Sequence, residues 1–254
     1  MARDPHPFHV PSSFIEAGGE EGATIRFPAD EAHHILHVIR LRAGDECRVT
    51  DGQGGLFRVR LETEGGGGKN DDALRGMILE SRRAPARGAI VEVGFPVLRL
   101  HARNDWLIEK AVEAGADVLV PIPWERSLKE ASASALRRWE RIAREAMKQS
   151  ERVWLPEIAV DHTPFVRPAG TRWILADPEG EEDLPDLSGA GKVRLLIGPE
   201  GGLAEKERER ILAQGAVLWG LGPDRLRAET AVVIGCHGIA RAVRNVKRHS
   251  KEGA

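Results

Sequence analysis

The chain has 254 residues, enough for one large domain or two ordinary ones. An apolar share of 41% supports a core, and 30% charged residues of both signs exclude global disorder. The formal net charge of −2 excludes a histone-like polycation but not RNA binding through a local basic face. Cys47 and Cys236 lack CxxC or Cys/His spacing, so they read as two buried thiols in preference to a disulfide or a metal site. The N-terminus, MARDPHPFHV, has no apolar run of the signal-peptide kind, and no segment reaches the length of a membrane span. A soluble, cytoplasmic protein is expected.

Residues 1 to about 85 read as short strands and turns. Strands are predicted at 24–27, 46–50, 56–61 and 77–81. Asp51-Gly52-Gln53-Gly54-Gly55 is a strong turn between the second and third. Glu62–Asp72, with four consecutive glycines, reads as a flexible hairpin loop. One helix is predicted at 29–41, with Pro28 and Asp30 at its start and Gly44 after its end. Many short strands with one helix suggest a small β-barrel. Arg82–Gly88 is a basic, proline-containing linker, after which strands and helices alternate. Strands are predicted at 90–97, 117–122, 173–176, 193–197 and 217–221, and helices at 105–114, 135–152, 205–214 and 229–248. This alternation implies a mainly parallel sheet covered by helices.

The sharpest local signal is Leu195-Leu196-Ile197-Gly198-Pro199-Glu200-Gly201-Gly202-Leu203, a buried strand running into a glycine-rich turn and then a helix. Glycine lets a ligand approach the backbone closely, and ligands collect at the C-terminal ends of parallel strands. A plain tight turn is the other reading. The segment has neither the Gly-Lys-Ser/Thr of a phosphate loop nor a GxGxxG dinucleotide turn. A second turn, Leu221-Gly222 through Leu226-Arg227-Ala228-Glu229-Thr230-Ala231, follows the next strand. Two such turns at consecutive strand ends can form one cleft.

Together these turns resemble the two C-terminal motifs of SPOUT methyltransferases. Further matches narrow the resemblance to the RsmE family. They are His33–Glu46, Asp51–Gly55, Glu109-Lys110-Ala111, Gly115, Glu125-Arg126-Ser127, Trp139-Glu140-Arg141-Ile142, Glu145-Ala146, Gln149-Ser150, Arg152 and Pro156, in order along nearly the whole chain. The chain departs from the family at its start, where Arg3 stands with Phe8 and His9. It departs also at Leu100, where the family tends to carry a lysine, with Arg99 and Arg103 nearby.

The resemblance implies an N-terminal PUA-like RNA-binding β-barrel over residues 1–85 and a SPOUT α/β domain with a trefoil knot over 86–254. It implies S-adenosyl-L-methionine as cofactor, a homodimer, and methylation of uridine N3 in 16S rRNA, within the small ribosomal subunit. It places the cofactor against Leu196, Ile197, Gly198, Glu200, Gly201, Gly202, Leu221, Gly222, Leu226, Arg227, Thr230 and Ala231. Within the enzyme class the alternative is 2′-O-ribose methylation, and outside it a non-catalytic, SAM-binding RNA or ribosome assembly factor.

Methylation at N3 requires loss of a weakly acidic proton. A carboxylate, Glu200 or Glu229, can accept it, and Arg227 can stabilise charge building on the uracil oxygens. Each also has a structural reading: Glu200 fixing its turn, Glu229 favouring the start of the last helix, Arg227 pairing with a carboxylate of the other subunit. RNA contacts are expected from Arg40, Arg42, Arg126, Arg141 and Arg152. Arg137, Arg138, Arg144 and Lys148 extend a basic helix face that Glu140, Glu145 and Glu151 dilute, so a solvated face reads equally well. Arg241, Arg244, Lys247, Arg248 and Lys251 form a third basic group. His33, His34 and His37 have helical spacing, but no further ligand completes a metal site, and none is expected. Trp124, Trp139 and Trp154 read as core in preference to base-stacking surfaces.

Overall fold

Alternating apolar and polar residues in the first part of the chain become, in the computed structural model, one twisted sheet. The structure describes residues 6–63, 74–127, 130–161 and 165–249, with side chains described as far as Arg244. Arg3, most of the Glu62–Asp72 loop and the side chains of Lys247, Arg248 and Lys251 lie outside the described residues. The chain divides into two compact units, residues 1–86 with 147–155 and residues 87–146 with 156–254.

The first unit carries β1 (Phe8–His9), β2 (Thr24–Arg26), β3 (Glu46–Thr50), β4 (Gly55–Thr63) and β5 (Leu74–Arg83), in the order β1-β3-β4-β5-β2. Phe57, Val59 and Leu61 of β4 point into the core while Arg58 points to solvent, the period-two pattern of a half-buried strand. The helix predicted over 29–41 is shorter. α1 spans Ala29–His33 and widens into a π turn over His34–Ile39. Its terminator is Arg40, in the left-handed region at φ 67°, not Gly44; Leu41 N–H donates back to the Ile35 carbonyl at 3.0 Å.

Residues 147–155 complete this unit. Gly54 N–H donates to Val153 O and Leu155 N–H to Gly52 O, each at 2.8 Å. Gly54 has φ 96°, and a Cβ there would stand 2.5 Å from the Trp154 ring, so the glycine of this turn is required twice over. Lys148, grouped above with a basic face, is instead buried, with Nζ 2.8 Å from Glu31 Oε1. The 3.6-residue period places it on the face of Arg141 and Arg144, but it turns inward to meet a carboxylate 117 residues away.

The second unit is a six-stranded, wholly parallel sheet. It contains β6 (Ile90–Pro96), β7 (Val118–Ile122), β8 (Glu157–Ile158), β9 (Thr171–Glu181), β10 (Lys192–Leu196) and β11 (Val217–Trp219), in the order β11-β9-β10-β6-β7-β8. Helices α2 (His101–Ala114), α3 (Ala133–Gln149), α4 (Glu205–Ala213) and α5 (Ala228–His249) connect or follow the strands, α3 ending in the first unit. Val93, Val193 and Leu195 are wholly buried, each worth about 1.5–3 kcal/mol by area. α5 lies close on the sheet because Gly235 and Gly238 leave no side chain in the way. A Cβ there would stand 2.7 Å from Leu195 and 2.8 Å from Trp219 respectively. Trp124 and Trp139 are buried, in keeping with a core role.

The strand order creates a switch point. From β6 the chain moves outward to β7 and β8. It returns to β9, enters β10 between β9 and β6, and leaves for β11 on the far side. β6 and β10 are neighbours whose onward connections diverge, and the crevice beyond their C-terminal ends is where open α/β sheets take ligands.

Candidate active site

A cleft opens at this switch point. It is lined by residues 96–99 at the end of β6 and just after it, Arg126 and Ser127 after β7, and residues 199–201 after β10. Its walls are fixed by buried polar side chains. Asn104 of α2 accepts from Leu98 N–H and donates to Leu98 O, both at 2.8 Å, shaping the β6 side. Glu207, in the first turn of α4, accepts from Glu125 N–H at 2.7 Å with one oxygen and from Ala204 N–H at 3.0 Å with the other. It thereby caps its own helix and ties the 124–127 loop to it.

The Gly198–Gly202 turn closes on itself through Gly202 N–H to Pro199 O at 2.8 Å. Three arginines from three different segments hold it. Arg126 Nη1 donates to Gly201 O at 3.2 Å, Arg225 Nη2 to Glu200 O at 3.1 Å, and Arg103 Nη1 to Glu200 Oε1 at 2.6 Å. Arg103 also grips Glu229 side-on, Nε to Oε1 at 2.9 Å and Nη2 to Oε2 at 2.7 Å. The two glycine-bearing turns, at the ends of consecutive strands, are therefore joined although β9 stands between β10 and β11 in the sheet.

These contacts sort the candidate residues. Burial opposes ionisation of Glu229, but the hydrogen bonds from Arg103, its own backbone N–H and the nearby Arg227 outweigh it and hold the carboxyl below its ordinary value. The Arg103 guanidinium is held well above its ordinary value, first by Glu229 and then by Glu200. Glu229 is thus an ionised, doubly engaged carboxylate and a weak acceptor for a further proton. Glu200 is half-exposed and lines the cleft, with one oxygen on Arg103. Arg227 is exposed, and among the described residues no hydrogen bond engages its guanidinium.

The residues around the turns fit an extended organic cofactor. A Cβ built at Gly202 or Gly222 meets nothing, and one at Gly201 meets only Arg126 at 3.8 Å, so the backbone edges stand open to a ligand. Gly202 and Gly222 have φ of 74° and 134°, which glycine alone adopts without strain. Leu221, Leu226 and Thr230 are partly exposed, Ala231 is buried, and Leu196 and Ile197 are buried strand-end residues supporting Gly198.

The RNA candidates are not brought together in one unit. Arg40, Arg42 and Arg152 belong to the first; Arg126 and Arg141 belong to the second. Arg138 is engaged by Asp105. Sequence reading gave Asn104 and Glu207 no role and named Arg103 only as a basic residue near Leu100. Each looks like an ordinary polar residue of a helix start; Asn104 bonds locally to Leu98, while the partners of Arg103 and the Glu125 contact of Glu207 are brought near by the strand order. Among the described residues there is no group of three His, Cys, Asp or Glu that could hold a metal, and no helix is long and apolar enough to cross a membrane.

Residues 91–239 match the family model of an RNA methyltransferase domain, and residues 27–68 that of an RNA methyltransferase PUA domain. The chain is 32% identical over 244 residues to ribosomal RNA small subunit methyltransferase E of Mycobacterium bovis, covering 89% of this chain and 90% of that one. The crystal structure of a probable rRNA-methyltransferase from Porphyromonas gingivalis superposes with a TM-score of 0.78 at 29% identity, over 95% of this chain and 99% of that one. A ribosomal RNA small subunit methyltransferase E from Neisseria gonorrhoeae, bound to S-adenosyl methionine, shares the fold with a TM-score of 0.79 at 23% identity, over 94% and 98% of the two chains.

Proposed function

The chain belongs to the ribosomal RNA small subunit methyltransferase E family, and from that membership we propose that it methylates N3 of one uridine of 16S rRNA, using S-adenosyl-L-methionine, on the small ribosomal subunit. The observation that carries this reading is the meeting of the two glycine-bearing turns at the switch point of the parallel sheet, with their backbone edges open.

When bound, S-adenosyl-L-methionine supplies a methyl group made electrophilic by a sulfonium sulfur. The open backbone of Gly201, Gly202 and Gly222 would hydrogen-bond its polar edges, with Gly198 leading into the first of these turns. Leu221, Leu226, Thr230 and Ala231 would wall its apolar parts, with Leu196 and Ile197 supporting the first turn from the core. Arg227, with its guanidinium unengaged, would stabilise negative charge on the uracil oxygens as N3 loses its proton. Glu200 is the better proton acceptor of the two carboxylates, because Glu229 has both oxygens on Arg103. Glu229 would hold the second turn in place.

Arg126 stands at the cleft mouth, and Arg40, Arg42, Arg141 and Arg152 would meet RNA phosphates. A homodimer is supported by exposed apolar residues at the start of α2 and on α5: Leu100 is 58% exposed, and Trp106 and Ile234 are each 42% exposed. The trefoil knot would lie where β9 ends beside the residue after β11. A Cβ on Gly180 would stand 2.4 Å from Trp219 N, and one on Gly220 2.7 Å from Gly180 O. The barrel reading of residues 1–85 rests on the five-strand order of the first unit. The proposed compartment is the cytoplasm, where ribosomal RNA is modified.

The test is transfer of labelled methyl from S-adenosyl-L-methionine to purified small subunits lacking their rRNA methylations, with nucleoside mass spectrometry of the product. N3-methyluridine is expected. A ribose-methylated nucleoside would move the reaction to 2′-O, and cofactor binding without transfer to subunits or naked RNA would favour an assembly factor.

A further inference from the structure

Arg103 uses three nitrogens on two carboxylates that belong to different connections. Nε and Nη2 lie side-on to Glu229 in the first turn of α5, and Nη1 reaches Glu200 in the turn after β10. The residue itself stands in the first turn of α2, after β6. One planar group therefore ties together the chain ends that leave β6, β10 and β11. The fork geometry matters, because a lysine offers one point charge where the guanidinium offers three aimed donors.

The two turns have little else to set their spacing. Residues 200–202 and 222–225 are exposed. Among the described residues, the other hydrogen bond between the two turns is Arg225 Nη2 to Glu200 O at 3.1 Å, from an exposed side chain to a neutral carbonyl. The Arg103 contacts are shorter, joined to ionised groups and more buried: its side chain is 23% exposed and that of Glu229 only 9%.

We infer that Arg103 is a positioning residue that sets the distance between the two cofactor-binding turns and so the affinity for S-adenosyl-L-methionine. This rests on the placement of the cofactor given above. A purely stabilising ion pair would have a different signature. Losing Arg103 alone strands a buried carboxylate at Glu229, and removing that charge as well should then undo the damage. If Arg103 positions the turns, removing the charge restores the fold but leaves the turns untied.

The experiment measures thermal unfolding and calorimetric affinity for S-adenosyl-L-methionine on the full-length wild type, Arg103→Ala, Arg103→Lys, Glu229→Gln and the double variant Arg103→Ala/Glu229→Gln. Arg103→Ala should lower the melting temperature and weaken binding by roughly tenfold or more, as misplaced contacting groups do. In the double variant the melting temperature should recover while binding stays as weak as in either single variant, the non-additivity of groups that act as a unit. Arg103→Lys should keep the melting temperature near wild type, with binding a few-fold weaker. In methyl transfer this variant should raise KM for S-adenosyl-L-methionine. Recovery of both melting temperature and affinity in the double variant would reduce Arg103 to a stabilising contact. Losses that multiply in the double variant would show that the two residues act independently and would equally overturn the inference. A wild-type protein that binds no S-adenosyl-L-methionine would refute the cofactor placement itself, a failure distinct from the others.

Discussion

The parallel sheet carries arginine–carboxylate clusters in two places, and they do different things. Nearer the strand starts, Glu92 of β6 accepts from Arg194 Nε and, at 3.0 Å, from Lys192 Nζ of the neighbouring β10; Arg194 also meets Asp161 at 2.8 Å. Glu92 and Arg194 are 3% and 5% exposed. At the strand ends, Arg103 joins Glu200 and Glu229 on turns that open to solvent. The contact chemistry is the same. What differs is burial and what the partners are attached to: rigid adjacent strands in one case, two glycine-bearing turns in the other. The first cluster can only hold the sheet, whereas the second sets the shape of a cleft.

If burial separates the two clusters, breaking the buried one should cost the most stability. Glu92→Ala leaves Arg194 in a low-dielectric interior with Asp161 as its remaining carboxylate, and should destabilise the fold by about 3–5 kcal/mol in denaturant unfolding. A loss below about 1 kcal/mol, the value of an exposed pair, would erase the distinction.

Glu229→Gln should cost less, about 1–3 kcal/mol, because Arg103 keeps Glu200 and some access to water. Its pH dependence carries a sign. The folded pKa of Glu229 lies below the ordinary 4.5, so its stabilisation is fully present above that value and fades as the pH falls through the folded pKa. The melting-temperature gap between wild type and Glu229→Gln should be widest near neutral pH and narrow in acid below 4.5. A gap that widens on acidification would mean that Arg103 does not hold this carboxylate ionised.

The comparison also marks what a sequence can disclose. The glycine turns were legible because Gly201, Gly202 and Gly222 interrupt apolar runs at strand ends, and turn chemistry is local. The parallel sheet was legible because β6, β7 and β10 are short apolar runs spaced by helices. Arg103 was not, since its partners lie 97 and 126 residues away and an arginine at a helix start resembles any solvated charge. Lys148 misled for the same reason: helical spacing aligned it with Arg141 and Arg144, while Glu31 drew it inward. The π turn ending at Arg40 escaped because its left-handed residue is not glycine. Long-range pairing of charges depends on strand order, which local periodicity does not encode.

At the cleft itself, Gly201→Arg should leave stability nearly unchanged, since a Cβ at this position meets nothing closer than 3.8 Å and its φ is unstrained. Affinity for S-adenosyl-L-methionine should nevertheless be lost, with the oligomeric state by light scattering retained. Unchanged affinity would move the cofactor away from this turn.

The smallest effect belongs to a third arginine, on the exposed face of the first unit. Arg58 of β4 reaches Glu46 at 2.7 Å and also contacts Glu80, and its hydrogen bonds hold both carboxyls below their ordinary values. Like the Arg103 cluster, this one joins one guanidinium to two carboxylates. Yet its three side chains are each about 40% exposed, at 43%, 38% and 42%. Water and salt can replace every contact, and ordering three long side chains offsets what the contacts return. Arg58→Ala should therefore shift the denaturant midpoint by no more than the scatter between replicates, at low and high salt alike. If it destabilised the fold as strongly as Glu92→Ala, burial would not be what distinguishes these clusters, and the role given to Arg103 would need a different physical basis.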